Sequence, residues 1–122
     1  MAFDNSLAAE IWTSKYRFLP AGGPGDQTVE QTWSRVAAAV AEAEAPKLRR
    51  HRRDRFLDAL SDFQFLPAGR IMAGAGTGRS VTLFNCFVMG TVPDDLGGIF
   101  QAVSEAAVTM QQGGGVGMDF ST

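Results

Sequence analysis

Residues 80–122, SVTLFNCFVMGTVPDDLGGIFQAVSEAAVTMQQGGGVGMDFST, decide the fold. From Ser80 to Met89, Val81, Leu83, Phe87 and Met89 alternate with Thr82, Phe84, Cys86 and Val88, so the period of two and the β-branched and aromatic content predict a strand. Both of its faces are apolar, which places it inside a sheet covered on each side. Asp94 or Asp95 then caps a helix carrying Leu96, Ile99, Phe100, Val103, Ala107 and Met110, which stops at Gly113-Gly114-Gly115. A second strand starts near Val116. Strand, helix, strand is the opening of a βαβ unit whose remainder is missing from this chain or supplied by another, so the chain reads as a fragment.

Upstream the pattern is helical. Of fourteen glycines only Gly22, Gly23 and Gly25 precede residue 69, so the first half makes few demands for unusual backbone. Asp4, Asn5 or Ser6 can cap a short helix with Leu7, Ala8, Ile11 and Trp12 at helical spacing, ending before Pro20. Thr28 and Gln31 form a capping box ahead of Val29, Trp33, Val36, Ala37 and Val40, which make one buried stripe. Pro46 opens a third helix with Leu48, Phe56, Leu60 and Phe63 as its apolar side. Lys47, Arg49, Arg50, Arg52, Arg53 and Arg55 crowd the rest of it, and with Asp54 and Asp58 interleaved they read as a solvated face that includes an exposed His51.

Composition narrows the function classes. The chain has 122 residues, one domain's length against the usual roughly 100 to 200. Hydrophobic residues at 45% and charged residues at 20% exclude disordered, collagenous and coiled-coil chains. A formal charge of -2 removes the global basic excess of a dedicated nucleic-acid binder. One Cys and one His exclude an intrachain disulfide framework and a structural zinc site. The start, Met-Ala-Phe-Asp-Asn, carries no secretory signal, and no apolar run is long enough to span a membrane, so the expected location is the cytoplasm.

Two places could carry chemistry. Cys86 is the only soft nucleophile; a lone Cys in an apolar strand is often a small buried hydrophobe, but its neighbour Asn85 is a polar residue in that strand and needs a partner if buried. The segment 65–79, FLPAGRIMAGAGTGR, puts four glycines and two arginines into a loop that could offer N–H groups and guanidinium to an anion. Its spacing matches neither a P-loop nor a dinucleotide fingerprint, and an ordinary turn-rich connection is the alternative. Gly113 to Gly117 reads as a helix stop packed tightly against the next strand.

Three strings in order, FLPAGRIMAGAGTGR (65–79), LFNCFVMGTVPDDLGGIF (83–100) and TMQQGGGVGMDFS (109–121), resemble the N-terminal part of adenosylcobalamin-dependent (class II) ribonucleotide reductases. The likeness runs from about Phe3 to Thr122 and is strongest after Phe65. It implies an α/β protein: an N-terminal helical layer, residues 1–64, followed over 65–122 by the first strand, helix and strand of a ten-stranded α/β barrel that is incomplete in this chain. It also implies reduction of ribonucleotides to deoxyribonucleotides, the DNA precursors, through a thiyl radical generated by cobalt-carbon homolysis.

Carried over by position, Cys86 is the first-strand member of the redox-active cysteine pair, Asn85 lines the substrate site, and Ala68, Gly69 and Arg70 lie where the family contacts substrate phosphate. Asp94 falls at the effector's ribose, although Asp95 stands where related reductases often carry Ser. The expected partners are a ribonucleotide substrate, an allosteric deoxynucleotide effector, a thioredoxin-like or dithiol reductant and the rest of the reductase chain, with a homodimer among the allowed states and no nucleic acid or membrane. Adenosylcobalamin is expected to be held mainly by residues beyond this chain, and no metal ligand is assigned within it. With one Cys, the fragment alone is expected to be inactive. The alternatives are a large-subunit fragment of a class I reductase and a non-catalytic nucleotide-binding or subunit-interaction module.

Overall fold

The computed structural model describes residues 3–121, which divide between Arg79 and Ser80 into two compact units. The first is helical. Asn5 starts α1 (Ser6–Ile11) by accepting from the Ala8 N–H at 2.7 Å, as an N-cap does. The Thr13 and Ser14 hydroxyls bond back to the carbonyls of Ala9 and Glu10, and the chain widens into one π turn, Trp12–Tyr16.

Thr28 caps α2 (Val29–Ala41). The capping box is only half formed: Gln31 reaches back to the N–H of Gln27, one residue before the cap, at 2.5 Å. Val29, Trp33, Val36 and Ala37 are buried as the stripe requires, together with Thr32. Val40 is not buried; the last turn presents Ala41 instead, beside Pro46 and Arg49 of α3 (Pro46–Leu60). In α3 only Leu60 is fully buried, Phe56 and Leu57 are half-buried against the core, and Leu48 is exposed. Phe63 lies beyond α3 in a single 3-10 turn, Ser61–Phe63, where Asp62 and Phe63 both take positive φ. Its ring meets Trp33 edge to face at 5.0 Å between centroids, a favoured aromatic geometry.

The segment 65–79 is not a plain loop, because Gly69–Gly74 winds into α4 and buries Met72 and Ala75 in the helical core. The Ile71 and Met72 N–H groups donate to the Ala68 carbonyl. Those of Ala75 and Thr77 donate to Ile71 and Gly74, so these amides do not form the anion cradle that the glycines suggested.

The second unit is strand, helix, strand. β1 spans Cys86–Thr91, later than the expected strand from Ser80 to Met89. Its parallel partner β2 (Gly115–Asp119) begins opposite Cys86, so 80–85 has no strand in this unit to pair with. Those residues instead make isolated bonds, Thr82 N–H to the Gln112 carbonyl and Phe84 N–H to the Thr82 hydroxyl. α5 (Leu96–Gln111) crosses between the strands, capped by Asp95, whose Oδ1 accepts from the Gly98 N–H at 2.9 Å. Asp94 is therefore not the cap.

Gly113, at φ 91, ends α5 and turns the chain into β2. Gly114 allows the tight packing expected of the glycine run, since a Cβ there would sit 2.7 Å from the Phe87 ring. Ala106 alone is buried along α5, while Leu96, Phe100, Val103 and Met110 are exposed. Among the described residues no helix is long and apolar enough to cross a membrane.

Candidate functional site

The register of the two strands sets the first cluster. Cys86 opens β1 opposite Gly115, the first residue of β2, and the Gly115 N–H donates to the Asn85 carbonyl at 2.8 Å. The Cys86 thiol is exposed, so it is not the small buried hydrophobe that a lone strand Cys often is. Asn85 is also exposed, with its backbone rather than its amide engaged by the neighbouring strand. A side chain on Gly115 would begin 3.5 Å from the Cys86 sulfur, so the glycine leaves one flank of the thiol open. A parallel pair joined by a crossover helix thus presents a free thiol at the start of its first strand, with the exposed Asn85 just before it in the chain. An exposed sulfur can, as thiolate, attack a disulfide and, once oxidised to a disulfide, be attacked by an incoming thiolate, as thiol-disulfide exchange requires.

At the opposite end of β1, Asp119 ties the strands together. It accepts from the Thr91 hydroxyl at 2.9 Å and from the Ser121 N–H and hydroxyl at 2.9 and 2.6 Å. The Ser121 hydroxyl, its N–H and the Thr91 hydroxyl hold the Asp119 carboxyl below its ordinary range. Asp94 lies between β1 and α5, exposed.

Ala68, Gly69 and Arg70 belong to the helical unit: Ala68 is the residue before α4, and Gly69 and Arg70 are its first two members. Arg70 is exposed, while Arg79 lies over the Phe18 ring at 5.1 Å. The expected site residues therefore fall into two sets, Ala68, Gly69 and Arg70 in one unit and Asn85, Cys86 and Asp94 in the other. The helical unit also holds a cavity of about 520 Å³, walled by Phe3, Trp12, Tyr16 and Phe63 among others. No group of three or more His, Cys, Asp and Glu among the described residues could hold a metal ion.

Sequence reasoning missed a heavily bonded buried carboxylate in the helical unit. Asp26, 5% exposed, accepts from the Phe18 N–H, the Thr32 hydroxyl and both Nε and Nη2 of Arg35. Trp12 joins the network by donating its indole N–H to Thr32 at 3.0 Å. Burial pushes the Asp26 carboxyl up, but the bonds from Arg35, Phe18 and Thr32 and the Arg35 charge outweigh it and leave the group below its ordinary range. Arg35 sits off the apolar stripe of α2, so helical periodicity marks it only as a surface residue.

A family model for the ribonucleotide reductase all-alpha domain matches residues 2–80. A vitamin B12-dependent ribonucleoside-diphosphate reductase of Mycobacterium tuberculosis is 35% identical over 122 aligned residues, covering 95% of this chain and 17% of that protein. The ribonucleoside-diphosphate reductase alpha subunit of Helicobacter pylori is 38% identical over 66 residues, 54% of this chain and 8% of its own. That of Chlamydia muridarum is 32% identical over 95 residues, 78% of this chain and 9% of its own. The chain thus spans at most about a sixth of the length of these relatives. With the family model covering well over half of its residues, the chain belongs to the ribonucleotide reductase family, whose all-alpha domain occupies its helical unit.

Proposed function

We propose that this chain is the N-terminal part of a reductase large subunit that converts ribonucleotides to deoxyribonucleotides, with Cys86 as one half of the cysteine pair that reduces the substrate. The observation that carries the reading is the exposed Cys86 thiol, beside Asn85 and opposite a glycine, at the start of a parallel strand. In each turnover two thiols give two electrons and two protons; the ribose 2′-hydroxyl leaves as water, a hydrogen takes its place, and the sulfurs close to a disulfide. A second thiol is required, and Cys86 is the single Cys of this chain. The partner thiol and the radical-forming residue belong to the rest of the reductase, and 65–122 contribute the opening of its ten-stranded barrel. A thioredoxin-like or dithiol reductant reopens the disulfide.

Asn85 is assigned to line the substrate site, the Ala68-Gly69-Arg70 segment to contact substrate phosphate, and Asp94 to meet the ribose of a deoxynucleotide effector. The Arg70 guanidinium is exposed and suited to phosphate. We favour the adenosylcobalamin-dependent class, because the B12-dependent relative aligns over 95% of this chain against 54% and 78% for the two alpha subunits. Adenosylcobalamin is assigned mainly to residues of the reductase beyond this chain. No step assigned to this chain passes through that cofactor. The second reading is a class I large subunit, favoured by the two alpha-subunit relatives.

The test is Cys86→Ser in the complete reductase. Multiple turnovers supported by dithiol should stop while nucleotide binding persists, because a hydroxyl cannot form the disulfide. Turnover at the wild-type rate would overturn the assignment. Requirement for adenosylcobalamin, against requirement for a metallo-subunit, separates the two classes.

A further inference from the structure

We propose that Arg35, held by Asp26, is a positioning residue for the nucleotide: it fixes α4 and so sets the place of the Ala68-Gly69-Arg70 segment. The proposal rests on the reading of that segment as the phosphate contact. Arg35 and Asp26 form an ion pair at 2.9 Å with side chains only 10% and 7% exposed. The guanidinium then turns its remaining N–H groups on backbone carbonyls: Nη1 donates to Ala75, and Nη2 to Met72 at 3.1 Å and Tyr16 at 3.3 Å. Met72 lies in α4 and Ala75 is its C-cap. The last carbonyls of a helix have no partner within it, so Arg35 from α2 supplies one across the core.

One close approach, at Gly76, and one ordinary packing contact, at Gly69, make this anchorage specific. Gly76, at φ +73, passes so near that a Cβ would lie 2.9 Å from Arg35 Cγ and 3.1 Å from its carbonyl oxygen. Gly69, at the other end of α4, packs on Tyr16, where a Cβ would lie 3.4 Å from the hydroxyl oxygen. Tyr16 is the residue whose carbonyl Arg35 also holds. A helix of six residues is short and stiff, so fixing its last turn and its contact with Tyr16 fixes where Gly69 and Arg70 begin. Lysine carries a point charge on a flexible stem and cannot span Asp26 and three carbonyls at once.

The experiment is steady-state kinetics of the complete reductase carrying Arg35→Lys, Asp26→Asn, Arg70→Ala and the Arg35→Lys/Arg70→Ala pair. We expect Arg35→Lys to raise the KM for ribonucleotide about tenfold while kcat stays within about twofold, the pattern of a displaced binding group away from the reacting atoms. Asp26→Asn should move KM the same way, and it carries the test if the lysine variant does not fold. In the double variant Arg35→Lys should add little to the effect of Arg70→Ala, because both act through one contact. Raised KM in Arg70→Ala with wild-type KM in Arg35→Lys or Asp26→Asn, even with a lowered melting temperature, overturns the inference and leaves the phosphate reading standing. An unchanged KM in Arg70→Ala overturns the phosphate reading and the inference together. In wild-type enzyme, bound nucleotide should also slow amide exchange across residues 69–76; unchanged exchange there overturns the proposal without recourse to any variant.

Discussion

Asp26→Asn removes one charge from the centre of the helical unit and leaves the shape of the side chain. Breaking one side of a buried ion pair costs about 3 to 5 kcal/mol, chiefly because the other charge stays buried. Here the Tyr16, Met72 and Ala75 carbonyls still accept from Arg35, and the Asn oxygen can still accept from the Phe18 N–H, so the cost belongs at the lower end, about 3 kcal/mol. For a unit of this size, each kcal/mol moves the midpoint by about 4 to 8 °C, so the melting temperature should fall by about 12 °C or more. Both tryptophans, Trp12 and Trp33, lie in the helical unit, and their fluorescence reports its unfolding directly.

The pH dependence supplies an independent check. The folded Asp26 carboxyl titrates below its ordinary value, so its contribution is fully present above the unfolded pKa of about 3.9 and is lost as the pH falls through the lower folded value. In that window the unfolded chain binds the extra proton and stability rises with pH. Asp26→Asn should flatten this part of the acid limb. A variant that melts within about 1 °C of wild type and keeps the same acid limb would refute the reasoning, since those effects follow from the linkage of a paired buried carboxylate.

Other consequences are open to direct measurement. The exposed Cys86 of the folded chain should react with one equivalent of a disulfide reagent without denaturant, and protection until unfolding would contradict the strand geometry. Asp95→Ala should cost about 0.5 to 2 kcal/mol as a lost N-cap. Asp94→Ala should leave melting unchanged and, in the complete reductase, flatten the dependence of substrate choice on added deoxynucleotide; an unaltered effector response would remove Asp94 from that role. With Val88 94% exposed, Phe120 74% exposed and Leu96, Phe100, Val103 and Met110 of α5 exposed as well, the 122-residue chain by itself should self-associate and bind an apolar dye, and a dye-negative monomer in sedimentation would count against an uncovered surface.

The elements with strong periodicity were legible from residues alone. The α2 stripe, the Pro46 start, the Gly113 stop and the strand-helix-strand order all follow from side-chain spacing and from the few residues that tolerate a cap or a positive φ. What periodicity could not supply was pairing. The alternation from Ser80 to Met89 is real, yet β1 starts only at Cys86, because a strand needs a neighbour and β2 begins opposite that residue. Glycines misled the reading of 65–79, where the burial of Met72 and Ala75 outweighs the low helix propensity of Gly69 and Gly74. In the candidate site, Cys86 and Asn85 stood out as a nucleophile and an amide in an apolar run. The Asp26–Arg35 pair did not, since its partners are three carbonyls, a backbone N–H and one hydroxyl scattered over some sixty residues that no local pattern links.

The reading stands or falls most directly on the oxidation state of one sulfur. The complete reductase, reduced, freed of dithiol and given a single portion of ribonucleotide, should form about one deoxynucleotide per active site and then stop. Alkylation and peptide mass spectrometry should then find Cys86 in a disulfide with a second cysteine of the reductase. Deoxynucleotide formed in that amount with Cys86 still a free, alkylatable thiol would contradict the assignment.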